Sequence, residues 1–188
     1  MQVRFSTCKG ALVAEESSEE VLGLLVDVLI HPDSGRIEGF SVHAVGGQQQ
    51  GVLFCSSADV LRFGARIYVR SADVLCDPYD IVRLHSLLQD TRRVLGQRVR
   101  TESGQYIGRC RDIQFNTETM TLEWIFPKGF LRWKRAIATS DILEVREDCI
   151  VVRDAPLVSV TEEDAVSVFD SLDVREPKVS RVPYETGR

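Results

Sequence analysis

The stretch Tyr106 to Phe126, YIGRCRDIQFNTETMTLEWIF, decides the fold. It reads as a β-hairpin: an apolar strand, a polar turn, and a second apolar strand. Upstream, Val21 to Val42, VLGLLVDVLIHPDSGRIEGFSV, runs through the same order. Each stretch carries an aliphatic–Gly pair, Leu22-Gly23 and Ile107-Gly108, then Asp27-Val28 and Asp112-Ile113, then a turn cluster. The doubling speaks to architecture and is silent on activity.

Outward from the upper hairpin, Val21 to Ile30 is rich in branched residues and bounded by turn signals, so it reads as a largely buried strand. Simple alternation puts Leu22, Leu24, Val26, Val28 and Ile30 on one face and Leu25, Asp27 and Leu29 on the other. His31-Pro32-Asp33-Ser34-Gly35 closes the turn, with Pro fixing φ and Gly taking positive φ. Gly39, inside the return strand, marks a bulge or sharp bend. In the lower hairpin Met120 stands where the upper has Gly35, so Asn116 must hold that turn by bonding local backbone.

Residues 4–14 read as a strand ending before the acidic run Glu15 to Glu20, a solvated loop matched by Thr101 to Gln105. Short strands follow at Gly51 to Cys55, Leu61 to Phe63 and Ala65 to Arg70, after a flexible Gly46 to Gln50. The lower copy offers six: Leu95 to Thr101, Tyr106 to Phe115, Met120 to Phe126, Arg132 to Ala138, Ile142 to Val145 and Cys149 to Arg153. Between the copies Asp77-Pro78 has the form of an N-cap and first helical residue. Ile81, Leu84, Leu87 and Leu88 then keep helical spacing. Thr161 to Asp164 likewise opens a short C-terminal helix with Ala165, Val168, Phe169 and Leu172 on its apolar stripe. The predicted fold is mainly β: two small, mostly antiparallel β-barrels, residues 1–75 and 92–156, joined by a helical linker over 76–91. Residues 157–188 form a short helix and a loose tail.

Hydrophobic residues make up 44% and charged residues 27% of the chain, which supports a packed core. The formal net charge of -5 argues against bulk nucleic-acid binding. Lys and Arg nevertheless outnumber Asp and Glu between residues 92 and 154, while the flanks are acidic. The five cysteines include no CxxC pair, so neither a disulfide framework nor a zinc knuckle is indicated, and a reducing cytoplasm is the natural setting. The longest apolar run, Val21 to Ile30, falls far short of the ~20 residues of a membrane span. The N-terminus has no basic region followed by a long apolar run, so no signal peptide is expected.

The spaced positions Gly96, Val99, Ile107-Gly108, Asp112-Ile113, Phe115, Ile137, Asp141-Ile142 and Ile150 to Arg153 resemble the PRC-barrel family. The upper copy matches at Gly10, Val13, Leu22-Gly23, Asp27-Val28, Asp59-Val60 and Ile67 to Arg70. The resemblance covers roughly residues 4–154. It implies small closed barrels and a theme of protein contact rather than catalysis. Two departures narrow it. The membrane helix of a reaction-centre H subunit is absent, as is the Gly-rich N-terminal barrel of the ribosome maturation factor.

No catalytic constellation emerges. Asp27 and Asp112 fall on separate copies and are expected to be structural or solvent-facing. Asp59 and Asp141 stand at turn starts, where carboxylates cap backbone amides. His31, His43 and His85 belong to a turn, a strand and the linker, without metal-ligand spacing between them or to a Cys. The reading is therefore of a non-enzyme with no cofactor and no metal. The strongest functional stretch is Lys128-Gly129-Phe130-Leu131-Arg132-Trp133-Lys134-Arg135, with Arg109 and Arg111 on a neighbouring strand. Its bland reading is a strand with Leu131, Trp133 and Ile137 inward. Its functional reading is a contact surface, since Trp and Arg are favoured interface anchors. The expected partner is a protein, or a second copy of the chain. A ribosome- or RNA-associated factor and a small-ligand module between the barrels are the alternatives.

Overall fold

A computed structural model describes residues 1–45 and 51–154. The strands are β1 Gln2–Arg4, β2 Leu12–Glu15, β3 Val21–Ile30, β4 Ile37–Ala44, β5 Gly51–Ser56, β6 Val60–Phe63, β7 Arg66–Val69 and β8 Leu75–Cys76. They continue as β9 Arg98–Thr101, β10 Tyr106–Asn116, β11 Thr121–Lys128, β12 Ile137–Ala138, β13 Ile142–Val145 and β14 Cys149–Val152. Two short helices, α1 Phe5–Cys8 and α2 His85–Gln89, are the only α-helices among the described residues. The expected flexible connection over Gly46 to Gln50 and the expected C-terminal helix and tail fall outside the described residues.

The protein is mainly β, with two mixed sheets. The first runs β6-β7-β2-β3-β4-β5-β8 and the second β12-β11-β10-β9-β14-β13, with β1 added on β10. Each sheet has one parallel pairing, β2 with β7 and β9 with β14; the rest are antiparallel. The ladders do not close into the barrels expected from the sequence. Among the described residues, β6 and β8 end one sheet and β12 and β13 end the other. The two-residue strands β8 and β12 supply too few backbone groups to carry a ladder further round.

The bulges recur at matching places. In the first sheet the register slips at Leu22, Val26 and Glu38; in the second it slips at Ile107, Arg111 and Glu123. The slip at Val26 overturns the simple alternation expected for β3. An extra residue flips the side-chain phase, so Leu25 enters the core although it shares sequence parity with exposed Asp27. The bulge beside Gly39 is as expected. An added Cβ there would meet the Cys55 carbonyl oxygen at 2.3 Å, so only glycine fits.

The two hairpin turns meet each other. Ile37 N donates to Met120 O and Leu122 N donates to Gly35 O, both at 2.8 Å, around an Arg36–Thr121 bridge. Gly35 takes φ 67° and Met120 φ 50°. Met120 thus holds the left-handed geometry that glycine holds opposite, and Asn116 Oδ1 secures the turn by accepting from Glu118 N and Thr119 N. Behind the turns lies one continuous cluster of buried side chains drawn from both sheets. Phe40, Phe63 and Phe115 meet in it at centroid separations of 5.5–5.9 Å.

Two local expectations change. The strand read over residues 4–14 is broken by α1, whose Phe5 and Cys8 turn into the core. The linker is a succession of short helical turns, Pro78–Asp80, Val82–Leu84 and α2, rather than one helix. Asp77 does cap its start, accepting from Tyr79 N at 2.9 Å. Leu84 and Leu87 pack on Phe54, and Arg83 reaches Glu38 and Ser56, so the linker lies against the first sheet.

Candidate functional site

β10 and β11 are the longest strands of their sheet, and the site lies where their pairing ends. Arg109 pairs with Lys128, and Cys110 with Pro127. Past Lys128 the chain turns back on itself instead of continuing as a strand. Lys134 N donates to Pro127 O and Gly129 N donates to Arg132 O, both at 2.9 Å, with a Lys128–Trp133 bridge between. This makes a narrow hairpin with Phe130 and Leu131 at its tip.

The expected strand over Arg132 to Ala138 is therefore reduced to β12, and its inward face does not exist as read. Phe130 is 96% exposed, Leu131 80% and Trp133 52%. Lys128, Arg132, Lys134 and Arg135 are exposed as well. A two-residue turn leaves its central side chains nothing to pack on, so alternation, which assumes a sheet beneath, fails there. Arg109 sits at the root, donating to Gly96 O at 3.1 Å. Arg111 occupies the bulge opposite Phe126 and Pro127 and is exposed.

The sequence reading missed Arg4. Its guanidinium lies 4.0 Å from the Phe126 ring centroid and 5.8 Å from that of Trp133, while Lys128 Nζ sits 5.3 Å from Trp133. Arg4 also binds Asp112 through Nε and Nη2, each at 2.9 Å. Asp112 is 2% exposed and takes further bonds from Ser6 N, Ser6 Oγ and Ile113 N. The carboxylate is saturated with donors, which suits it to pinning the N-terminal segment and leaves no lone pair for chemistry. Asp27, its counterpart, is exposed and accepts from Val28 N. The two aspartates do not form a pair.

The other titratable groups lie apart. Burial pushes the Cys55 and Cys110 thiols up to about 12 and Cys8 to about 11, which keeps them protonated and poor nucleophiles at neutral pH. All five cysteines are free. His31 Nδ1 accepts from Asp33 N, and His85 Nε2 bonds Tyr79 O, on separate elements. Among the described residues no three His, Cys, Asp or Glu side chains converge as metal ligands. Asp59 and Asp141 end short helical turns instead of capping them; Ser56 Oγ caps the first. Two depressions, of about 220 and 300 Å³, flank the turns, one lined by Asp27, Leu87 and Arg92 and the other by Asp33, Leu122 and Leu143. The first is smaller than ordinary ligand pockets and the second sits at the lower end of their sizes.

No protein-family model matches this sequence, and no curated protein matches it. No helix among the described residues is long and apolar enough to cross a membrane.

Proposed function

We propose that this protein is a non-enzymatic interaction module, an adaptor of the PRC-barrel type whose two halves are tandem copies. Matching bulges in the two sheets, at Val26 and Arg111 and again at Glu38 and Glu123, support the tandem reading. The hairpin from Pro127 to Lys134 is its contact element. The observation that carries this is the exposure of Phe130 and Leu131 at the end of a well-bonded stem. Large apolar side chains gain by leaving water, and the fold gives these two nowhere to go.

Cross-linking tests the reading. A photo-reactive amino acid at Leu131 should capture a discrete adduct in cells, to protein, nucleic acid or lipid, while one at equally exposed Val82 should not. Identical patterns at the two positions would refute it. A second reading, RNA contact, has support from Trp133 among basic side chains, because bases stack on aromatic rings beside Arg and Lys. In that case the Leu131 adduct disappears on nuclease treatment.

A further inference from the structure

The hairpin combines three features that together restrict what it can meet. Its apolar part is a tip, Phe130 and Leu131, not a face. Its stem is basic on both strands, with Lys128 on one side and Arg132, Lys134 and Arg135 on the other. Its chain is acidic overall, so any attraction to an anionic surface must be local.

A standard protein interface buries about 800 Å² per partner and surrounds its anchors with a rim that excludes water. A two-residue tip on a narrow stem presents no such rim. A bilayer needs none, because its interface closes around whatever enters it. Apolar side chains flanked by Lys and Arg are the combination that partitions into an anionic headgroup region.

We propose that the hairpin addresses the protein to the surface of an anionic membrane. Phe130 and Leu131 enter the acyl boundary, and Lys128, Arg132, Lys134 and Arg135 face acidic phospholipid headgroups. Trp133, half-exposed with its ring near Lys128 and Arg4, sits at headgroup depth, where amphipathic rings are favoured. The buried Asp112 anchors Arg4 behind it, so the root is held while the tip inserts. This inference rests on the hairpin being the contact element and names the surface that it contacts.

The test is co-sedimentation of the full chain with vesicles of phosphatidylcholine alone or with about a quarter phosphatidylglycerol. Binding to the anionic vesicles should exceed binding to the neutral ones by at least about tenfold, since each cation near such a surface contributes about fivefold, and it should fall as salt rises. Phe130→Ser with Leu131→Ser should weaken it by about tenfold or more. Arg132→Gln with Lys134→Gln should bring the anionic value towards the neutral one. Every substituted side chain is exposed, so circular dichroism should be unchanged. Absence of binding to anionic vesicles, or binding that either double variant leaves intact, overturns the proposal. A protein or RNA adduct at Leu131 without vesicle binding also overturns it, while the contact reading stands. No adduct and no vesicle binding removes both.

Discussion

β3 and β10 carry the same bulges yet treat their aspartates differently. Asp27 faces water, whereas Asp112 is buried beneath the N-terminal segment and held by Arg4 and Ser6. The difference arises because β1 adds to the second sheet, pairing Val3 with Phe115, and brings Arg4 over Asp112. A second contrast lies one strand further on. In the first sheet β5 pairs with β4 from Gly39 to Ala44. In the second, β12 pairs with β11 at Trp124 and Ile125, and the intervening chain becomes the exposed hairpin. One scaffold thus carries a six-residue β4–β5 ladder in one half and, in the other, a two-residue β11–β12 pairing beyond an exposed hairpin.

The comparison can be broken most forcefully at the point where both halves meet. Phe115→Ala should cost about 3–5 kcal/mol in urea unfolding, and the loss should appear in one transition because Phe115 touches Phe40 and Phe63 of the other sheet. Two transitions, with only one shifted, would mean that the halves unfold separately. Asp112→Asn against Asp27→Asn comes next. The first should lose about 3 kcal/mol, since it disrupts charge-assisted bonds to a buried acceptor, and the second should stay within about 0.5 kcal/mol. Equal losses would deny the asymmetry. Gly35→Ala should destabilise by about 1 kcal/mol, because its positive φ strains any L residue, while the added Cβ meets nothing closer than 3.4 Å.

The smallest effect concerns pH. Hydrogen bonds from Arg92 hold the Asp33 and Asp90 carboxyls below the ordinary aspartate value of 3.8. Their folded pKa is depressed, so the stability that they contribute is present above that value and is lost as pH falls through the folded pKa. Arg92→Gln should therefore flatten the acid limb of the stability profile and move both carboxyl resonances back up in an NMR titration. An unchanged titration would place the cause elsewhere. The group is at the surface, so added salt should diminish the effect.

Much of this was legible in the residues. Turn chemistry at His31 to Gly35 and around Asn116 located both hairpins, and the basic, aromatic octapeptide at Lys128 to Arg135 stood out as the contact candidate. Its exposure was not legible, because alternation assigns Leu131 and Trp133 an inward face that exists only if a sheet lies beneath. Arg4 was invisible for a different reason. Nothing local ties it to Asp112, and their contact depends on β1 crossing to the second sheet.

What the sequence determined by itself was local: that the two hairpin stretches extend, and where they turn. Those features follow from dihedral preferences and apolar spacing within a few residues. Only the tertiary structure decided the bulge phases, the common aromatic core, the burial of Asp112 and the projection of Phe130. Each of these depends on pairings between distant segments, whose free energy is set by what the chain brings alongside rather than by the residues' own propensities.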